Sequence, residues 1–417
     1  MTERVVVVGA GQAGVQAAFS LRDEGFAGDI EVIGEEPGAP YQRPPLSKSF
    51  LLGKIDDDAL LLKSRTLYDE YRIGLRSGRR VAGVDRAHRR VTLDDGQSVA
   101  YDVLVLATGA RHRVLDAPGA GLAGVMTLRT RLDAERLRER LPGVRRAVVV
   151  GAGFIGLEFA AVARTLGVEV TVVEIAARPL ARALSSEMAG FLRQRHETAG
   201  VSFAFDTGVQ AILGDGRVEG VELRTGEKLS ADLVLIGVGA GPNTELAEAA
   251  GLEVRDGIVV DDRLRTSDPA VYAIGDCAAH PNRFARSSLT RLESVQNATD
   301  QGRSVAAAIL RRPVAYAALP WFWSDQGDLR LQIAGLGDGH DLAVLRGDPG
   351  QGRFSVFCFR DDRLIAVESM NMGPDHVLAR RLLSAEAPMT PSQAADLGTP
   401  LKAHLSPAKD LRPSAGG

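Results

Sequence analysis

Two doubly wound α/β units followed by a smaller α+β region are the architecture the sequence predicts. Three observations predict it. VVVVGAGQAG at residues 5–14 is nearly copied by VVVGAGFIG at residues 148–156. Each copy runs on into a helix-like stretch and then into a second apolar run that ends on an acid. From about residue 319 the pattern changes to strand-like runs (LRLQIAGL, DLAVLRG, FSVFCFRDDRLIAVESM) separated by Gly- and Asp-rich turns, as in a small antiparallel sheet. A helix near LARRLL follows that sheet.

The repeat carries the most chemistry. A valine run without alternation suits a strand buried on both faces of a parallel sheet. Each run opens into G-x-G-x-x-G and then a helix. Gly9 and Gly151 allow the tight turn, Gly11 and Gly153 let backbone approach a pyrophosphate, and Gly14 and Gly156 let helix and strand pack closely. The helix N-terminus offers N–H groups and a positive dipole to phosphates. Glu35 in DIEVIGEE and Glu174 in VEVTVVE stand where a carboxylate can accept both ribose hydroxyls of an adenosine. A carboxylate at Glu174 also repels a 2′-phosphate, favouring NADH over NADPH, although Arg178 and Arg182 are close in sequence. Two dinucleotide folds in one chain predict two dinucleotides, and the simplest pair is FAD and NAD, one handing hydride to the other.

The totals narrow the class. With 417 residues the chain has room for two or three domains. Its net charge of −3 gives no basic field for nucleic acid or an anionic membrane. Two cysteines, Cys277 and Cys358, exclude a disulfide scaffold and a zinc or iron–sulfur ligand set within this chain. The seven histidines are scattered, and no metal site is expected. No apolar run is long enough to span a bilayer. MTERVVVVGAG leaves no room for a signal peptide, so a cytoplasmic protein is expected.

Two further stretches give the first repeat its cofactor. YDVLVLATGA, residues 101–110, resembles the A-T-G segment of two-dinucleotide flavoproteins, and TSDPAVYAIGDCA, residues 266–278, resembles their second FAD motif. With both present, the chain resembles the FAD/NAD(P) reductases of glutathione reductase type. The resemblance implies a discontinuous FAD-binding domain (1–113 and 245–318), an inserted NAD-binding domain (114–244) and a C-terminal domain (319–417) that covers the flavin and ends in a fraying tail. Many such enzymes pass electrons to an adjacent cysteine pair, and this chain has none. PYQRPPLSK at 40–48, LESVQNA at 292–298 and PWFWSDQ at 320–326 are similar to the oxygenase-coupled NADH-dependent ferredoxin reductases. Members of that family pass electrons singly to a 2Fe-2S ferredoxin, which supplies a haem-thiolate monooxygenase or a Rieske-type dioxygenase. Rubredoxin reductases, NADH oxidases and redox sensors such as apoptosis-inducing factor share the fold and stand as alternatives.

The resemblance also implies roles. Lys48 lies by the flavin N5 and pairs with Glu158, two residues after Gly156. Lysine is scarce here, six against 44 arginines, and a compact point charge suits that place better than a planar fork. Pro44 and Pro45 stiffen the loop that holds Arg43 and Lys48. Asp276 binds the ribitol. Ala13, Thr108, Gly109, Arg129, Val81 and Val295 match FAD contacts, the valines through backbone groups. Ile155 and Arg182 join the NAD set. His112 departs from the proline found in some relatives. The chain's two tryptophans, Trp321 and Trp323, flank Phe322. They are either a hydrophobic plug or a cap on the flavin, with Trp323 favoured as the residue at its edge. Arg286, Arg291, Arg311, Arg312 and Arg330 are candidates for a surface that steers an acidic ferredoxin.

Overall fold

The computed structural model describes residues 3–286, 289–312 and 315–405. One compact unit runs to Leu180 and resumes from Leu192 to Ala318; a second is built from Ala181–Phe191 and from Leu319 onward.

The first unit holds two five-stranded parallel sheets, one for each copy of the repeat. In the first, the strand order is Val271–Ala273, Val103–Leu106, Arg4–Val8, Asp29–Gly34 and Ile73–Ser77. Val7 is thus paired with Val32 on one side and Val105 on the other. Val5, Val6 and Val7 are fully buried, which is why this strand reads as an unbroken apolar run. The second sheet has the order Val201–Ala204, Glu169–Val173, Arg146–Val150, Leu233–Ile236 and Val125–Met126. In both, the strand before the glycine turn is central and successive crossovers leave it in opposite directions. The crevice beyond its carboxyl end is the switch point where α/β sheets bind ligands.

The Gln12–Asp23 and Phe154–Thr165 helices follow the two turns. The first packs on the Val295–Ile309 helix so closely that a methyl group on Gly302 would meet the carbonyl of Ala13 at 2.9 Å. A hydrogen bond from Gln12 Nε2 to Thr299 Oγ1, 3.1 Å, joins the same pair.

The second unit is a five-stranded antiparallel sheet in the order Trp321–Gln326, Leu329–Gly335, Arg363–Met370, Arg353–Arg360 and Leu342–Asp348. The expected helix follows as Gly373–Ser384. Phe354, Phe357, Phe359, Val367 and Leu382 are buried there. The Ala181–Phe191 segment belongs to this unit rather than to the strands that flank it in sequence. Phe191 packs edge-on against Phe354 with ring centroids 4.9 Å apart. Ser185 donates to the buried Glu368 from both its backbone N–H (2.8 Å) and its hydroxyl (2.6 Å). No local pattern in ARPLARALSSEMAGF marks that exchange. The polar stretch expected to fray lies, beyond residue 405, outside the described residues.

Candidate functional site

The two glycine turns are built alike. Gly9 has φ +115° and a Cβ there would meet the Ala107 carbonyl at 2.0 Å; Gly151 has φ +103° and would meet that of Gly237 at 2.5 Å. Only glycine fits either turn. Gly14 and Gly156 press on the turn carbonyls of Gly9 and Gly151, at 2.0 and 2.3 Å from a hypothetical Cβ. Gly11, in contrast, faces open space, and a Cβ on Gly153 would meet only the Gly237 carbonyl at an unstrained 3.9 Å; each serves as an N-cap with no side-chain cap. Neither helix carries an acid in its first turn, so each presents an uncapped positive end to the crevice. Ala13 is buried beside the first turn and Ile155 is exposed beside the second.

The acids of the two copies are offset by one residue. Gly9 N–H donates to Ile33 O and Gly151 N–H to Val173 O, both at 2.8 Å. By that register Glu174 corresponds to Gly34, and Glu35 comes one residue later. A Cβ on Gly34 would lie 2.6 Å from the Ala10 methyl, so an acid there collides with the turn and is displaced to position 35. Glu174 accepts from Ala152 N–H (2.8 Å) and Ala176 N–H (2.9 Å), one per oxygen, leaving lone pairs on both. Glu35 is exposed and has no partner among the described residues. Its neighbour Glu36 is committed to Arg43 Nη2 at 2.5 Å and to the Tyr41 hydroxyl. Burial pushes that hydroxyl's pKa up to about 12, against the pull of Arg43.

The PPLS turn, Pro44–Ser47, sets Lys48 against the second repeat's helix. Lys48 Nζ lies 2.7 Å from Glu158 Oε2, with side-chain exposures of 21% and 6%. Ser47 Oγ donates to the same oxygen at 2.5 Å, and Lys48 Nζ also donates to Pro44 O at 3.2 Å. Burying an unpaired carboxylate would cost several kcal/mol; here an ammonium and a hydroxyl both answer it. Ser47 was not legible as part of the site, because a serine in a proline turn ordinarily caps its own backbone.

Arg43 Nη1 donates to Arg129 O at 2.6 Å, and Arg129 Nη2 lies 3.1 Å from Asp276 Oδ2. Burial raises the Asp276 carboxyl above its ordinary range, and Arg129 opposes that shift. Arg129 Nε is buried with no hydrogen-bond partner among the described residues. Thr108 Oγ1 donates to Asn243 O at 2.7 Å, Asn243 Nδ2 returns a bond to Thr108 O at 2.8 Å, and Asn243 N–H donates to Gly109 O at 2.9 Å. Asn243 is a second residue the sequence reading missed. His112 pairs with Ala240 in a two-stranded ladder and is exposed. Val81 is buried core at 4% exposure, and Val295 is the first residue of a helix capped by Ser294. Arg291 is not a free surface charge: it contacts Glu293 (2.6 Å) and Asp256 (3.5 Å) and donates to Asp276 O (3.2 Å).

In the second unit, Trp321 and Trp323 lie two apart on the edge strand, with ring centroids 5.7 Å apart. Both are half-buried, so neither is a core plug. Arg380 lies over the Trp321 ring at 4.5 Å. His376, edge-on to Trp321 at 5.7 Å, is buried with neither ring nitrogen bonded among the described residues. Arg182 lies in the segment that belongs to this unit.

The groups this fold implies are FAD and NAD(H), and the residues fit them. Two uncapped helix ends with open glycines suit two pyrophosphates. The orphaned Arg129 Nε–H beside Asp276 suits a polar chain of a bound cofactor. A chain with two such cradles in one unit is a two-dinucleotide, FAD-dependent oxidoreductase. It belongs to the pyridine nucleotide-disulphide oxidoreductase family, whose model matches residues 3–302, and residues 321–405 match the reductase C-terminal family. The chain is 49% identical over 407 residues to rhodocoxin reductase of Rhodococcus erythropolis, covering 97% of this chain and 95% of that one. Its fold superimposes with a TM-score of 0.95 on the ferredoxin reductase for the CYP199A2 system from Rhodopseudomonas palustris, 46% identical, covering 97% and 100% of the two chains. The reductase in the covalent putidaredoxin reductase–putidaredoxin complex matches at 0.94 and 38% identity, covering 98% and 99%. Among the described residues no helix is long and apolar enough to cross a membrane.

Proposed function

We propose that the chain is an NADH-dependent ferredoxin reductase. Bound FAD supplies two-electron acceptance from NADH and one-electron delivery to a 2Fe-2S ferredoxin, which serves a haem-thiolate monooxygenase or a Rieske-type oxygenase. One observation carries the reading. Cys277 and Cys358 are both buried free thiols, so the dithiol exit that the family's name implies is closed and an external one-electron acceptor takes its place. The names of the relatives, rhodocoxin reductase and ferredoxin reductase, agree with that acceptor. The reading expects work in the cytoplasm.

The residue roles follow. Within an FAD half (1–113 and 245–318), Gly9, Gly11, Ala13 and Gly14 receive the pyrophosphate and Glu35 the adenosine ribose. Arg43, Val81, Thr108, Gly109, Arg129, Asp276 and Val295 hold the remainder. Within an NAD half (114–244), Gly151, Gly153, Ile155 and Gly156 receive the second pyrophosphate and Glu174 its ribose, with Arg182 a further contact. Lys48, held by Glu158 and Ser47, supplies positive charge to the reduced flavin. Trp323 serves electron exit. Positioning and electrostatics are the protein's share; hydride transfer needs no acid–base dyad.

The test is NADH-driven reduction of cytochrome c with and without a 2Fe-2S ferredoxin. Ferredoxin-dependent turnover supports the reading. Rapid oxygen consumption without ferredoxin points to an oxidase. Turnover with rubredoxin in place of ferredoxin points to the rubredoxin branch.

A further inference from the structure

A buried polar chain runs behind the Asp276 turn and takes no part in the chemistry above. Gly275, in the Gly275–Cys277 turn, donates its backbone N–H to Gln301 Oε1 at 2.7 Å. Gln301 is fully buried, and its amide nitrogen lies 3.2 Å from His280 Nδ1. His280 is 1% exposed, on the Ala278–His280 strand, with the Tyr316 ring 5.2 Å away. Its Nε2 is 3.4 Å from Asn282 Nδ2. Because a backbone N–H fixes which end of Gln301 accepts, the NH₂ end is what meets His280. Nδ1 must therefore accept, and the ring proton sits on Nε2. Asn282 Oδ1 already accepts from Phe284 N–H at 3.0 Å, so the Asn282 NH₂ stands near Nε2. A neutral ring accepts from only one of the two amides, and the nearer, Gln301, takes Nδ1, so the 3.4 Å contact to Asn282 is no hydrogen bond. An imidazolium would have little to donate to beyond the Ala278 carbonyl. Burial accordingly lowers the His280 pKa to about 4, with that carbonyl opposing the shift.

We infer that His280 is a positioning residue for the flavin: held neutral, its Nδ1 orients Gln301, which fixes the Gly275 N–H and so the backbone that carries Asp276. The turn has little freedom to compensate. Gly275 has φ +78°, and a Cβ on it would press on the Ala13 methyl at 2.9 Å, against the first glycine-turn helix. Gln301 rides on the Val295–Ile309 helix, which Gly302 and Gln12 clamp to that same helix. One relay thus ties together a strand, a helix and the Asp276 turn.

The inference rests on the FAD reading, and the experiment separates the two. If the wild-type protein, reconstituted with FAD, retains none, the FAD reading fails. If it binds FAD, the relay is tested by His280→Asn, which places an amide oxygen near the Nδ1 position, and His280→Gln, which places it near Nε2. His280→Phe and Gln301→Leu remove the relay. The readouts are the FAD dissociation constant and the flavin midpoint potential. His280→Asn is expected to stay within about twofold of wild type, whereas His280→Phe and Gln301→Leu each weaken FAD about tenfold, as for one lost buried hydrogen bond, and shift the potential. Their double variant is expected to be no worse than Gln301→Leu alone. Equal losses in His280→Asn and His280→Phe, or wild-type affinity and potential in His280→Phe, would overturn the inference. Should His280→Phe fail to fold, the Asn and Gln pair decides alone: equal behaviour of the two counts against the relay.

Discussion

Lys48 Nζ lies 2.7 Å from Glu158 Oε2, an ion pair that joins the loop after the first dinucleotide repeat to the helix of the second. Ser47 Oγ shares the same carboxylate oxygen at 2.5 Å. Removing one partner of a buried pair leaves the other uncompensated, at a cost of about 3–5 kcal/mol when both are fully buried; Lys48 is 21% exposed, so its carboxylate partner is the costlier to strand. Lys48→Ala is therefore expected to lower the rate of NADH-driven flavin reduction at least about tenfold and to destabilise the fold. Ser47→Ala, which removes one hydrogen bond, should cost about 1 kcal/mol and leave the rate within a few-fold. Stopped-flow reduction and urea unfolding measure both. Equal rates in wild type and Lys48→Ala would remove the ion pair from the mechanism.

The proposed roles assign Glu174 and Glu35 to different nucleotides. Glu174 braces Ala152 and Ala176 N–H with one oxygen each. Glu174→Ala is expected to raise the KM for NADH by about tenfold, as for a lost charge-assisted bond, and to leave FAD retention unchanged. Glu35→Ala should do the reverse. Steady-state kinetics and the FAD content of dialysed protein separate the two; a shared effect on one nucleotide would contradict the assignment.

Arg129 opposes the upward shift of the half-buried Asp276 carboxyl from 3.1 Å away. Arg129→Ala removes that opposition and the orphaned Nε–H together. FAD affinity is expected to fall more than about tenfold, as for a lost hydrogen bond to a charged group, and Asp276 to take up a proton at higher pH. FAD affinity unchanged across pH 5–8 in this variant would contradict the account.

His376 and His280 are both held near a pKa of about 4 by burial, against an ordinary 6.5. In the unfolded chain each binds a proton below about pH 6.5; folded, each stays neutral until about pH 4. Folding therefore loses stability as pH falls through that window, by about 3 kcal/mol per histidine at the full shift. The raised carboxyls of Asp276, Glu368 and Asp375 act in the opposite sense, so the informative quantity is a difference from wild type. His376 makes no hydrogen bond through either ring nitrogen among the described residues. His376→Phe is thus expected to gain on wild type between pH 6.5 and 4. Parallel stability curves would show that His376 does not titrate in this way.

Trp323 and Trp321 are half-buried on an edge strand, where truncation leaves no core cavity. Trp323→Ala is expected to leave stability within about 1 kcal/mol of wild type, to slow ferredoxin reduction, and to leave flavin reduction by NADH little changed. Wild-type rates with both substrates would discard its role in electron exit.

Much of the first unit was legible because its strands carry their signal locally. The unbroken run Val5–Val8 and its copy Val148–Val150 read as buried parallel strands, and the glycines at fixed offsets read as turns. What was not legible was set by tertiary proximity. The one-residue offset between Glu35 and Glu174 comes from the Ala10 methyl that faces Gly34. Ser47 and Asn243 act on residues 111 and 135 positions away. The Ala181–Phe191 segment joins the second unit through Ser185 and Phe191, whose partners Glu368 and Phe354 lie more than a hundred residues downstream. His280 reads as an ordinary strand histidine until Gln301 is seen facing it. Periodicity reports burial; it does not report which buried groups face each other.

The most direct measurement is an anaerobic titration of the FAD-reconstituted protein with NADH, followed by addition of an oxidised 2Fe-2S ferredoxin. The account predicts that NADH bleaches the flavin band and that about two ferredoxins are then reduced per NADH consumed, one electron each. A protein that takes up no FAD, or one whose flavin is reduced by NADH but gives no electrons to any 2Fe-2S ferredoxin tested, would contradict it.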